Sequence, residues 1–412
     1  MNLCGNNSNL IGGKMKVVQI NAVCSNGSTG KICVDISKLL TEKGIENYIF
    51  YSQGTSNYPL GIKYTDDRDL KIQALKSRVL GNFGFNSQRA TKKLVKELER
   101  INPDIVHLHN IHSQNVNLEI LFDYLRKTQV KVFWSFHDCW AFTGYCTHYE
   151  MAECDKWKTG CDNCVQKKSY SWFFDRSKKF YEKKKAIFDG VNITILSPTF
   201  WMTNAIQESF LKNKDFKIIE YAIDADLFHP SESNFREKYN LQNKKIVLGV
   251  AFGWGPKKGL DAFIELSKKL PEDYQIILVG TNDEVDKQLP SNIISIHRTY
   301  NQSELAEIYS AADVFVNCTR QETFGLVNIE ALACGTPIIT FKSGGSPEAV
   351  DENCGSVVEK NDIEALQKEV VRICEEKPYS SEACRKRVID KFESKDICRR
   401  HLEAYIETLN NN

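Results

Sequence analysis

From Met15 onward the chain alternates short β-branched runs with amphipathic helical patterns, and it does so twice over. Such a rhythm admits few folds, because successive strands joined by helical crossovers pair in parallel and need helices on both sheet faces. In the first half strands are expected at 16–20, 47–51, 105–109, 130–135 and 192–196, with helices at 31–43, 91–101 and 118–128. In the second half strands are expected at 245–250, 275–279, 293–297, 314–317 and 337–340, with helices at 260–270, 302–311 and 324–334. The expected class is α/β: two doubly wound, Rossmann-like domains, 15–222 and 223–395, joined in the turn-rich stretch 222–230. A helix at 396–412 is expected to pack back on the first domain. Ligands of such sheets bind beyond the carboxyl ends of the strands, so a cleft between two halves is the expected site.

A length of 412 residues suits two domains, and 42% hydrophobic with 26% charged residues excludes disordered and fibrous classes. No apolar run approaches the ~18 residues of a membrane-spanning helix. Lysine plus arginine number 54 against 53 aspartates and glutamates, a net charge of +1 that argues against nucleic acid as a partner. Fourteen cysteines in a long chain that shows no basic, apolar signal peptide point to a reducing cytoplasm rather than a disulfide framework. The polar leader 1–14 either precedes a native start at Met15 or is a loose tail.

The densest chemistry lies in 318–348, CTRQETFGLVNIEALACGTPIITFKSGGSPE. A helix beginning near Phe324 would present the amides of Thr323, Phe324, Gly325 and Leu326 to an anion, and Gly325 would let a phosphate approach. Glu322 and Glu330 are too far apart to grip one hydroxyl, at ~12 Å along a helix axis, but could hold two ends of an elongated ligand. Lys257 and Lys258 sit in a glycine-rich loop after an expected strand, where a cation can neutralise a diphosphate. Gly27 and Gly30 lie in SNGSTGKI between the first strand and its helix. His109 and His137 follow apolar strands, in IVHLHNIH and WSFHDCWAFTG.

With these motifs the sequence resembles the retaining glycosyltransferases of the GT-B fold, glycosyltransferase family 4, whose signature is two glutamates separated by seven residues. The resemblance runs over nearly the whole chain from Met15 and is strongest at Glu322, Phe324, Gly325, Leu326, Glu330, Gly335, Gly344, Gly345 and Glu348. It implies that Glu322 contacts the donor sugar near its phosphates, that Glu330 binds the ribose, and that Lys258 binds the diphosphate. The arginine usual some residues earlier is replaced by Ala251, Phe252 and Gly253, with Lys257 as a substitute cation. It also implies His137 beside the reacting carbon and His109 nearer the acceptor, with no catalytic metal. The segment after His137 resembles bacterial capsule, exopolysaccharide and colanic-acid-type enzymes. That implies a UDP, GDP or dTDP sugar as donor and an undecaprenyl-linked saccharide acceptor at the inner face of the cytoplasmic membrane. A nucleotide-sugar epimerase of the same fold and a non-catalytic nucleotide-sugar-binding protein are the alternatives.

The stretch 139–185 shows no clear periodicity in its first part, and a structureless insertion of that length usually carries function. Cys146, Cys154, Cys161 and Cys164 within it suit either a structural zinc or reduced, partly buried thiols. Residues 167–185 interleave eight basic residues with Trp172, Phe173, Phe174, Phe180 and Tyr181, and 68–93 adds a second basic stretch. Basic heads with aromatic bodies suit an anionic membrane surface; a solvated helix face is the alternative.

Overall fold

Strands such as VVQI, with Val17, Val18 and Ile20 inaccessible to solvent, can exist only where helices cover both faces of a sheet. A computed structural model describes residues 15–410; the leader 1–14 and residues 411–412 lie outside the described residues. Seven strands form an all-parallel sheet in the first unit: β1 (Lys16–Asn21), β2 (Glu46–Tyr51), β3 (Gly61–Lys63), β4 (Ile105–Leu108), β5 (Lys131–Ser135), β6 (Ile193–Ser197) and β7 (Asp215–Ile218). Their order is β3-β2-β1-β4-β5-β6-β7, so the winding reverses between β1 and β4. The second unit holds β8 (Lys245–Val250), β9 (Tyr274–Val279), β10 (Ile293–Ile296), β11 (Val314–Asn317), β12 (Ile338–Phe341) and β13 (Gly355–Val358). These are again all parallel, in the order β10-β9-β8-β11-β12-β13, and reverse between β8 and β11.

The first unit comprises the chain to Pro198, Met202–Ile219, and Cys398 onward; the second comprises Thr199–Trp201 and Glu220–Ile397. The C-terminal helix Ser394–Asn410 thus closes the first unit, where the Tyr405 hydroxyl bonds His107 Nδ1 at 2.6 Å on β4. In the second unit, alternate strand residues feed two separate cores. Ile246, Leu248, Ile277 and Phe315 point to one, and Val247, Ile276, Leu278, Val314 and Val316 to the other.

The expected strands are present with ends displaced by no more than a residue or so, and three strands went unforeseen: β3, β7 and β13. Each is an edge strand of three or four residues, at least half of them partly exposed, so its sequence carries little apolar signal. The helix Asp67–Leu80 was also unforeseen; its Ile72, Leu75 and Leu80 are exposed.

The insertion is not structureless. Trp140, Phe142, Tyr145 and Trp157 are buried, with Phe142 and Tyr149 against Trp157 at 5.1 and 4.6 Å between ring centres. Gly144 threads this core where a Cβ would lie 2.6 Å from the Ser177 carbonyl. The helix Ser177–Phe188 turns Phe180, Tyr181 and Lys184 inward, so these three cannot belong to a membrane-facing surface.

Candidate active site

Both reversal points carry the residues singled out above, because a reversal splays the two flanking crossovers apart and leaves a crevice beyond the strand ends. In the second unit the loop after β8 delivers Lys258 and the loop after β11 delivers Glu322. Lys258 Nζ donates to Glu322 Oε2 at 2.6 Å, with both side chains partly exposed. Arg320 ties the two loops together: its amide donates to the Lys257 carbonyl, and its guanidinium pairs bidentately with Asp261 at 2.7 Å and donates to the Pro256 carbonyl. Gly259 packs so closely on β11 that a Cβ would meet Cys318 at 2.4 Å, and its φ of 73° suits glycine. Lys257 is exposed, whereas Lys258 is half-buried toward Glu322.

The helix after Glu322 starts at Leu326, not near Phe324, because Gly325 takes the left-handed N-cap position with φ 86°. The Thr323 amide is met by the Glu322 side chain at 3.2 Å, and the Phe324 ring is core, against Tyr221 and Phe392. The helix end is braced from below by buried amides. Asn317 donates to Asn328, and Asn328 donates to the Ser346 carbonyl and hydroxyl in the SGGS loop. Gly345 backs directly onto Thr323, where a Cβ would lie 2.1 Å from its carbonyl oxygen. Glu330, one turn further along this helix, accepts a 2.9 Å hydrogen bond from the buried Tyr309 hydroxyl.

In the first unit, Gly27 begins the helix Gly27–Glu42 in a left-handed conformation with open space around it, while Gly30 faces the backbone of Cys24 and Ser25 inside that helix. His109, after β4, and His137, after β5, meet with Nδ1 and Nε2 3.2 Å apart. Burial pushes His137 down to about 4 and His109 well below the ordinary histidine range, so both rings are neutral at pH 7. Burial would raise Asp138, but His112 at 3.0 Å and the Trp140 amide at 2.8 Å outweigh it and leave the carboxyl below its usual range.

Cys146, Cys154, Cys161 and Cys164 are free thiols of the one insertion, and Cys161 Sγ accepts the Gly144 amide at 3.2 Å. Among the described residues, only Asp283, Asp286 and His297, all exposed, bring three metal-ligating atoms within 4.8 Å of one another. The other three thiols of the cysteine set act electrostatically on Cys146, whose burial pushes it up to about 12.

Residues 231–390 match the family described as glycosyl transferases group 1. This segment contains both lysines, both glutamates and the whole second switch point. The chain carries a glycosyl transferases group 1 domain. Across 382 residues it is 22% identical to the putative colanic acid biosynthesis glycosyl transferase WcaC of Escherichia coli, covering 85% of this chain and 88% of the relative. Among solved structures, a glycosyltransferase from Rickettsia africae superposes with a TM-score of 0.70 at 19% identity, over 97% of this chain and all of the other. Anabaena HepE in complex with UDP-glucose does so at 0.66 and 15%, over 97% and 100%. The two parallel-sheet units and these neighbours establish the fold as GT-B.

Within the group 1 domain the structure unites Lys258 with Glu322 and places Glu330 on the adjoining helix. The first unit separately unites His109 with His137. Sequence reasoning missed Tyr309, Asn328, Arg320 and Gln19. Two of these carried a signal: Asn328 interrupts an apolar helix and Gln19 an apolar strand, and a polar side chain in a buried element must find a partner.

Proposed function

We propose that the protein is a retaining glycosyltransferase that moves a hexosyl group from a UDP, GDP or dTDP sugar to a polyprenyl-linked saccharide during bacterial surface polysaccharide assembly. The observation that carries this reading is the meeting of Lys258 and Glu322, 64 residues apart, at the second switch point beside the Gly325 helix end. A donor diphosphate would take over the Lys258 ammonium, and the helix amides would add partial positive charge as the nucleoside diphosphate leaves. Glu322, released from Lys258, would turn to the sugar hydroxyls; Glu330, held by Tyr309, would accept from the ribose. Charge neutralisation by these groups calls for no catalytic metal. The colanic-acid name of the E. coli relative and the UDP-glucose of HepE support the substrate classes.

Work on a lipid-linked acceptor brings the enzyme to the inner face of the cytoplasmic membrane as a peripheral protein. Supporting this, the Trp172 amide donates to the Arg78 carbonyl, which sets exposed Trp172, Phe173 and Phe174 beside the helix bearing exposed Ile72 and Leu75. Lys71, Lys76 and Arg78 on that helix are exposed too, and a basic rim around an apolar patch complements anionic headgroups. The test is a panel of nucleotide sugars with a polyprenyl-diphosphate saccharide acceptor. Transfer with the donor's anomeric configuration kept in the product, read by NMR, is expected. Release of an epimerised donor without acceptor, or inverted product, would overturn the reading.

A further inference from the structure

The basic stretch 68–93 runs past the helix Asp67–Leu80 into the next one, Gln88–Ile101, which carries Arg89 and Lys93. Four residues apart on a helix, these two cations stand on one face, a turn from each other. They line a cavity of about 640 Å³ in the first unit, together with Asp66, Asp69 and Ile72 from the preceding helix and its cap. That volume falls within the about 300–1,000 Å³ of small-molecule sites.

Two acids beside two bases would ordinarily pair off, but here the acids are engaged within their own helix. Asp66 is its N-cap, with Oδ1 accepting the amides of Arg68 and Asp69 at 2.8 and 3.2 Å. Asp69 Oδ1 accepts from Gln73 Nε2 at 2.9 Å, and Gln73 Oε1 accepts from the Ser87 amide at 3.5 Å, which ties the two helices together below the cavity. The side chains of Arg89 and Lys93 are exposed and, among the described residues, make neither a hydrogen bond nor an ion pair. The cavity therefore holds an uncommitted guanidinium fork and an uncommitted ammonium, the pair of groups that a diphosphate engages most strongly.

Ile72 gives the cavity its second property. It is exposed, lines the cavity, and is followed one turn on by the exposed Leu75. At Arg78 the same helix receives the Trp172 amide, which brings in exposed Trp172, Phe173 and Phe174. From Ile72 to Arg78 the helix rises about 9 Å. One helix thus leads from a charged cavity at its start to an aromatic cluster near its end. A nucleotide or a free phosphate would use only the first of these; a diphosphate on a long apolar chain uses both.

We propose that this cavity binds the diphosphate of a prenyl-linked acceptor, with Arg89 and Lys93 on the phosphates and the prenyl chain laid along Ile72 and Leu75 toward Trp172. Asp66 and Asp69 would accept from hydroxyls of the sugar attached to that diphosphate. That the ligand is the sugar acceptor rests on the proposed glycosyltransferase reading; that it is a prenyl diphosphate rests on the cavity and the apolar track alone.

The test is calorimetric titration of the full chain with farnesyl diphosphate, a soluble prenyl diphosphate, and with inorganic diphosphate. The parent should bind farnesyl diphosphate at least about tenfold more tightly, because only it buries an apolar chain. Arg89→Gln with Lys93→Gln should weaken farnesyl diphosphate roughly ten- to a hundredfold. Both side chains are exposed and unpaired, so the double variant should melt like the parent. Ile72→Gln should weaken farnesyl diphosphate and leave inorganic diphosphate unchanged. Lys92→Gln, which removes a neighbouring charge outside the cavity, and Lys258→Ala, in the second unit, should change neither. No binding of farnesyl diphosphate by the parent, or equal binding of the two ligands, overturns the proposal without any variant. So does a loss of binding in Lys258→Ala that Arg89→Gln with Lys93→Gln does not share. A chain that binds farnesyl diphosphate through Arg89 and Lys93 yet transfers sugar from no nucleotide donor would sink the glycosyltransferase reading and leave this site standing; transfer without such binding would do the reverse.

Discussion

Single side chains in the candidate site do separable work. Lys258→Ala should weaken nucleotide-sugar binding roughly ten- to a hundredfold, the ~1.5–3 kcal/mol of a charge-assisted hydrogen bond, as read by calorimetry. Tyr309→Phe keeps the packing and removes only the hydroxyl that orients Glu330, so it should cost a milder few-fold in donor affinity, about 1 kcal/mol, with melting temperature nearly unchanged. On the proposed function, His137→Ala should lower kcat more than donor affinity, because a group beside the reacting carbon would act chiefly on the transition state. With His137 held neutral down to about 4, its own protonation should leave kcat flat between pH 5 and 8; an acid limb near pH 6.5 that vanishes in His137→Ala would contradict the buried, neutral ring. The same burial has a stability consequence. Histidines that take up protons near 6.5 when unfolded, but only at lower pH when folded, withdraw stability as pH falls from about 6.5 toward 4. Urea midpoints should decline over that interval.

Among the elements, the insertion is the one whose character changed most between sequence and structure. Its aromatic residues looked like scattered loop residues because they follow neither a 3.6 nor a 2.0 period. They form a core only because three short turns and the helix Ser177–Phe188 converge on them. That core already holds the segment together, so EDTA is expected to shift the melting temperature by no more than a few degrees, and a much larger loss would show that a zinc at the four cysteines is the staple. Lys184 lies within this core, over the Trp140 ring at 4.0 Å and donating to the Trp140 carbonyl, and burial pushes its ammonium down to about 7. The unfolded chain therefore binds a proton that the folded chain has lost between pH 7 and the ordinary lysine range, and stability should rise with pH across 7 to 9. Lys184→Met should flatten that slope in urea titrations and, by removing a buried amine, cost little at pH 7.

For the whole molecule, two sheets that reverse direction explain why residues from distant segments meet, and a surface patch drawn from two segments suits a bilayer. Vesicle binding should weaken with salt without vanishing, and Ile72→Gln with Phe173→Gln should remove most of the salt-resistant part. Lys184→Gln should not alter the salt-sensitive part, since that lysine is inside. The sequence by itself determined the alternation, hence the α/β class, the central strands and the loops after β8 and β11, because buried parallel strands demand unbroken apolar runs. It also marked Lys258, Glu322, His109 and His137, since polar residues beyond apolar strands stand out, and Glu330 by its spacing from Glu322. What only the tertiary structure decided is who meets whom: Lys258 with Glu322, Tyr309 with Glu330, Gln19 with His109, and Lys184 with an aromatic core instead of a membrane. Those pairings depend on strand order and on which face a side chain takes, and neither leaves a local period in the chain.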